Sequence, residues 1–199
     1  RNLVESGAIR IEDGRYVGDP DSIAANLPEG VREVVGRRLD RLSDEANALL
    51  SVGSAMPGGF SLDICASVAG FDVDRALDLL DEALAAAVLA ERTDASGPYE
   101  FNHALIRQSL YGELSTPRRV RMHQRIGEAI EARYADRIEA HLTELAYHFF
   151  QAAPGGETER AGAYARRAGE RAMDAAAGDE AGRHCDMALR VIDLDAQTP

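Results

Sequence analysis

The sequence predicts a mainly α-helical chain interrupted by two small β-hairpins. Three observations carry that expectation. From residue 28 onward, apolar side chains recur at three- and four-residue intervals, the period of a helix face. Ser, Asp or Pro stands where many of these runs begin and Gly or Pro where they end, as helix starts and stops require. Alternation of apolar and polar residues is confined to the regions 9–17 and 88–102, each broken by turn-forming residues.

Composition bounds the function. With 199 residues, 45% hydrophobic and 28% charged, the chain suits one large or two small domains with real cores. A net charge of −12 opposes broad contact with nucleic acid or anionic lipid, yet leaves room for one local basic patch. Cys65 and Cys185 lie far apart and lack CxxC spacing, the pattern of reduced thiols in a cytoplasmic protein. The apolar run LAAAVLA at 84–90 is too short to cross a membrane, and no secretion signal opens the chain. Arg1 stands where an initiator Met is expected, so the sequence reads as a piece of a longer one.

Taken in order, residues 2–7 read as the end of a helix stopped by Gly7. Ile9-Arg10-Ile11 and Arg15-Tyr16-Val17 flank Glu12-Asp13-Gly14, a hairpin signal, and 19–27 is a polar linker. Pro28 suits the first turn of a helix whose stripe is Val31, Val34, Val35, Leu39 and Leu42. Ser43, followed by Asp44 and Glu45, starts a second helix through Ala46, Leu49, Leu50 and Val52, closed by Pro57-Gly58-Gly59. Ser61 is expected to cap a short helix bearing Leu62, Ile64, Cys65 and Val68, stopped by Gly70. The next is expected from about 73 to 89, with Leu77, Leu80, Leu84 and Val88 inward. Ala95-Ser96-Gly97-Pro98 then turns between strands at 88–92 and 99–102. The last three of these helices followed by a two-stranded ribbon is the order of a winged helix-turn-helix, expected over 28–115 after an opening segment, 1–27.

From Ala104 a helix puts Leu105, Ile106, Ser109 and Leu110 on one side, with Arg107 and Gln108 opposite. Ser115-Thr116-Pro117 starts a long helix carrying Val120, Met122, Ile126, Ala129 and Ile130. Another spans about 139–152, with Leu142, Leu145, Ala146 and Phe149 inward, and Pro154-Gly155-Gly156 stops it. Two alanine-rich helices follow, at about 157–175 and 179–192. Ala165, Ala168, Gly169 and Ala172, then Ala181, Cys185 and Ala188, fit the small-residue spacing of a tetratricopeptide (TPR) unit of ~34 residues. Residues 116–199 therefore read as a helical region with the start of TPR-like hairpins. One such unit cannot bury its own face, which implies further repeats beyond Pro199.

Ligand chemistry is sought at one place, the junction of strand and helix in YEFNHALIRQSLYGEL. His103 sits there, where an imidazole and unpaired helix N–H groups can together meet an anion. Its alternative role is simply to cap or pack at the helix start. The helix that a winged helix would offer to DNA is crowded by Asp72, Asp74, Asp78, Asp81 and Glu82, with Arg75 alone to offset them. Phosphates would repel that face. The cluster Arg118-Arg119-Arg121 with Arg125 reads first as a solvated face met by acids such as Glu128. His141, Glu144 and His148 share a helix side but lack a further metal ligand, so no metal is expected. His148 beside Phe149 and Phe150 reads as a packed or rim histidine; His123 and His184 carry no distinguishing context. GxSxG, GxxxxGK[ST] and HExxH are all missing, and no nucleophile, base and orienting group assemble. No catalytic residue is expected in this stretch.

The runs LVESGAIRIEDGRYV, LPEGVREVVGRRLDRLSDEANALLSVGSAMPGGFSLD and YEFNHALIRQSLYGELSTPRRVRMHQRIGEAIE, in that order, resemble the post-ATPase half of bacterial signal-transduction ATPases with numerous domains. These occur in large LuxR-type transcription regulators and with some adenylate/guanylate cyclases. The resemblance implies an upstream AAA-like core binding ADP or ATP with Mg, a helical lid ending at residues 2–7, a winged helix and helical repeats. It implies that the chain's partners are its own nucleotide-binding domain and a protein or small-molecule inducer at the repeats; the acidic charge and the short apolar runs add the expectation of no nucleic acid and no membrane. It further implies that His103, in FNHAL, contacts the β-phosphate of ADP and holds the protein closed. Ala104 stands where eukaryotic versions carry Asp. The alternatives are a TPR-like interaction scaffold and a DNA-binding winged helix.

Overall fold

Two helix starts are set by single side chains, Ser43 and Asp72. In the computed structural model, Ser43 lies in extended backbone and its Oγ accepts from the Ala46 amide at 3.1 Å. That satisfies one of the amides a helix start leaves unpaired, and α1 (Asp44–Ser54) follows, with Asp44 and Glu45 in its first turn. The structure describes residues 9–12, 15–18, 36–92 and 98–196, with side chains over 36–92 and 98–194. It is mainly helical, with two antiparallel two-stranded sheets, and divides into two units, Arg1–Leu114 and Ser115–Pro199. The expected helix end at 2–7, the linker at 19–27, most of the helix opened by Pro28 and most of the turn at 95–98 lie outside the described residues.

In the first unit, β1 (Ile9–Glu12) pairs with β2 (Arg15–Gly18), Glu12 opposite Arg15, as the hairpin signal predicts. Residues 36–39 are helical. Asn47 Nδ2 donates to the Leu39 carbonyl at 3.1 Å, tying that turn to α1. Ser61 stands at the start of α2 (Leu62–Ala69) without a capping side-chain bond, and Gly70 ends it at φ 86°. Left-handed backbone of that kind is cheap only for glycine. Asp72 Oδ1 accepts from the Arg75 amide at 2.8 Å and starts α3 (Val73–Ala85).

Of the residues expected inward around α3, Leu80 and Val88 are buried and Leu77 and Leu84 are not. Ala76, Leu79, Leu80 and Ala83 are buried, whereas Leu77 is 45% exposed and Leu84 half-buried. Alanines let α3 lie close to α1 and α2, and proximity decides the face. The helix also ends earlier than 89: Ala87 turns the chain at φ 53°, and the buried Val88 leads into β3 (Leu89–Glu91). β3 pairs antiparallel with β4 (Tyr99–Phe101), Leu89 opposite Phe101, and Phe60 bridges to Tyr99. α4 (Ala104–Gly112) packs on α1 through the buried Ile106 and Leu110.

The second unit is a run of helices each packed on the next: α5 (Thr116–Arg133), α6 (Leu142–Ala152), α7 (Thr158–Asp174) and α8 (Gly178–Ala196). Short 3-10 turns at Ala135–His141 and Ala153–Gly155 join α5 to α6 and α6 to α7. α6 therefore starts at Leu142 rather than near 139. On α5 the buried side chains are His123, Ile126 and Ile130, beside Gly127; Val120, Met122 and Ala129 are only half-buried. Ala165, Ala168, Gly169 and Ala172 of α7 are buried, as is Ala181 of α8, while Cys185 is exposed. No helix among the described residues is long and apolar enough to cross a membrane.

Candidate functional site

The step from β4 to α4 is fixed by Asn102. Its Nδ2 donates to the carbonyls of Ala87 at 2.8 Å and Leu89 at 3.0 Å, and its amide to Val88 at 3.0 Å. His103 follows in extended backbone at the N-cap of α4, φ −138° and ψ 129°, and Ile106 N bonds back to its carbonyl at 3.0 Å. The backbone is thus held on both sides. The imidazole is exposed and makes no capping bond to its own helix. Nearby cations point elsewhere: Arg107 donates to the Ser54 carbonyl at 3.2 Å, and Arg92 donates to Gly58 at 2.6 Å and pairs with Glu100 at 3.1 Å. An anion reaching this corner would meet an imidazole and the positive end of a helix. Arg107 and Gln108 were expected opposite the packed side of α4; both are half-buried, and Gln108 Oε1 is enclosed without a hydrogen-bond partner.

On α3 several acids have structural partners. Asp72 caps the helix, Glu82 accepts from the amide and Oγ of Ser43, and Arg75 bonds Glu45. The Glu45 carboxylate raises the Arg75 pKa further. Asp74, Asp78 and Asp81 remain exposed.

The structure brings together two histidines to which the sequence assigned no site. His123 of α5 and His148 of α6 meet Nδ1 to Nδ1 at 2.9 Å, 1% and 2% exposed, with the Tyr147 ring edge-on to both. One Nδ1–H must donate to the other, so the accepting ring is neutral. Burial, helped by Arg119, pushes His123 down to about 4; burial and then His123 hold His148 well below the ordinary value. The available signal was helix arithmetic: position 123 shares a face with Ile126 and Ile130, and 148 with Leu145 and Phe149.

His141, Glu144 and His148 separate. His141 Nδ1 lies 3.2 Å from Glu144 Oε2 and its ring stacks on Tyr134, while His148 turns inward. No group of three or more His, Cys, Asp or Glu side chains suited to a metal occurs among the described residues. His184 is buried, with neither ring nitrogen hydrogen-bonded and Nε2 3.7 Å from Glu180. Cys65 is enclosed and its thiol pKa is pushed up by burial; Cys185 is exposed. Arg118, Arg121 and Arg125 are exposed. Glu128, expected to meet them, instead faces Arg160 at 3.8 Å and accepts from Gln124 at 3.2 Å. Comparison with protein-family models, with curated proteins and with solved structures gives no match.

Proposed function

We propose that the chain is a non-catalytic regulatory part of a multidomain signalling ATPase, cytoplasmic and of the transcription-regulator or cyclase-associated kind. In this reading α1 to α4 with the β3–β4 ribbon form a winged helix that contacts the ADP- or ATP-bound core. The helices from α5 onward begin a TPR-like array that receives a protein or small-molecule signal. The observation that carries the reading is the exposed imidazole of His103 on a backbone step locked by Asn102. A rigid step with a free donor suits a contact that exists in one nucleotide state and not in the other. An imidazole N–H donated to a phosphate oxygen is worth roughly 1.5–3 kcal/mol, enough to bias closure tenfold or more. The exposed acids of α3 favour this use of the fold over DNA binding.

In the parent protein carrying the nucleotide-binding core, His103→Ala is expected to weaken ADP binding about tenfold and to raise basal output. Calorimetric titration with ADP, beside an assay of the unstimulated protein, tests this. ADP affinity and basal output both unchanged would remove His103 from the mechanism. A second reading, a TPR-like scaffold, is favoured by the alanine-lined contact of α7 with Ala181 of α8. It predicts that partner capture survives every His103 substitution.

A further inference from the structure

Two helices in the interior of the sequence present exposed faces of opposite charge. α3 lies between α2 and β3, and α5 between α4 and α6. On α3 the exposed face holds Asp74, Asp78 and Asp81, with Val73 and Leu77, 62% and 45% exposed, along one flank. Arg75, the one base of that helix, is drawn off to Glu45, with Asp78 at 3.8 Å. Asp74 and Asp81 have no ion-pair partner among the described residues. On α5 the exposed face holds Arg118, Arg121 and Arg125, with the half-buried Met122 and Ala129 along one flank. Residues 115–127 contain four arginines and no carboxylate. Arg118, Arg121 and Arg125 have no ion-pair partner among the described residues, Glu128 being turned to Arg160. Guanidiniums in the first half of a helix add to the positive end of its dipole instead of offsetting it. Carboxylates from outside would relieve this.

The two faces match in spacing. Asp74 and Asp81 are two turns apart, as are Arg118 and Arg125, with Leu77 between the acids and Met122 between the bases. Helical period puts the apolar flank on opposite hands of the two faces, so the flanks meet when the helices run the same way. With Met122 level with Leu77, Arg118 stands one residue, about 1.5 Å, from the level of Asp74, and Arg125 the same from Asp81. Arg121 falls between Asp74 and Asp78.

We propose that the acidic face of α3 in one copy docks, in parallel, on the basic face of α5 in a second copy. Like faces repel, α3 on α3 and α5 on α5, so the contact is heterologous and head to tail. The division of charge selects this occupant. Residues 1–114 hold ten arginines against twenty carboxylates, whereas residues 115–199 hold twelve against fourteen. The approach therefore brings the acidic unit of one copy to the near-neutral unit of the other, not to its equally acidic one. Exposed ion pairs beside a small apolar flank make a weak contact, visible at high protein concentration and weakened by salt. The contact follows from charge and spacing and is independent of any nucleotide at His103.

Sedimentation velocity of the wild-type chain, from micromolar to near-millimolar concentration, is expected to show association that rises with concentration and falls with salt. Two variants test the faces. Asp74→Arg/Asp81→Arg sets base against base, and Arg118→Glu/Arg125→Glu sets acid against acid. Each alone is expected to associate at least about tenfold more weakly than wild type. Their equimolar mixture is expected to regain association, because the arginines kept on α5 of the first meet the acids kept on α3 of the second. The second variant places carboxylates in the first half of α5, where the helix dipole favours them, and circular dichroism checks that both fold. A wild-type chain that stays monomeric throughout, variants that associate as well as wild type, or a mixture that stays monomeric would each overturn the proposal. In the first case the acids of α3 are left to a basic partner outside this chain.

Discussion

His123 and His148 share one hydrogen bond in a place that water does not reach. Burial opposes a charge on either ring, Arg119 adds to this at His123, and a proton on the accepting Nδ1 would also leave two N–H groups facing each other, so the folded state resists protonation until the pH is low. The sign follows from proton counting. The folded value of His123 is about 4 against an ordinary 6.5. Between those limits the unfolded chain binds protons that the folded chain refuses. Stability is therefore complete above about 6.5 and is lost as pH falls toward 4. At about 1.4 kcal/mol per pKa unit, His123 alone accounts for on the order of 2–3 kcal/mol by the bottom of that window. Urea unfolding followed from neutral to mildly acid pH is expected to show the midpoint falling in wild type. The fall should be shallower in His123→Leu/His148→Leu. An equally steep fall in the double variant would assign the acid sensitivity to other groups.

Helix contacts in the second unit depend on glycines that look alike in sequence and are not. A Cβ at Gly127 of α5 would stand 2.8 Å from the Phe149 ring of α6. Gly127→Ala gains up to about 1 kcal/mol of helix propensity, but overpacking costs roughly 1–3 kcal/mol, so a net loss is expected. A Cβ at Gly182 of α8 meets nothing within 4 Å, so Gly182→Ala is expected to stabilise by about 0.5–1 kcal/mol. Opposite shifts in thermal midpoint check both; same-sign shifts would contradict this packing. The comparison marks where sequence stops being legible. A helix start can be read where the cap is a local event, as at Ser43, whose Oγ bonds an amide three residues on; Ser61 stands at a helix start without such a bond, and Asp72, read only as an acid, makes one. Both hairpins can be read because alternation and turn residues are local too. Which side of a helix turns inward depends on neighbours in space, so Leu80 and Val88 were placed inward correctly while Leu77 and Leu84 were not. The same blindness hid the His123–His148 pair, since an imidazole looks polar until a second one is known to face it. The position of His103 at a strand–helix step was legible. Its exposure was not, because that depends on what packs around it.

The histidines are divided unequally between the units: His103 in the first, and His123, His141, His148 and His184 in the second. In the first unit the polar links that join elements run through carboxylates, Glu82 to Ser43 and Glu45 to Arg75, or through amide and guanidinium donors on backbone carbonyls, as from Asn47, Asn102 and Arg107. Carboxylates as a class change charge at lower pH than imidazoles. Mild acid should therefore act on one unit before the other. Hydrogen–deuterium exchange at neutral pH and near pH 5, expressed as protection factors to remove the intrinsic pH dependence, is expected to show α5 and α6 losing protection first. α1 and α3 should hold theirs, because nothing that secures them involves an imidazole. Protection lost evenly along the chain, or first in α1 and α3, would mean that the buried pair does not govern the acid response. Under the proposed function this gives a further expected outcome: in the parent protein near pH 5 the response to an inducer is lost while ADP binding through His103, which stands on the unit without the buried pair, is kept.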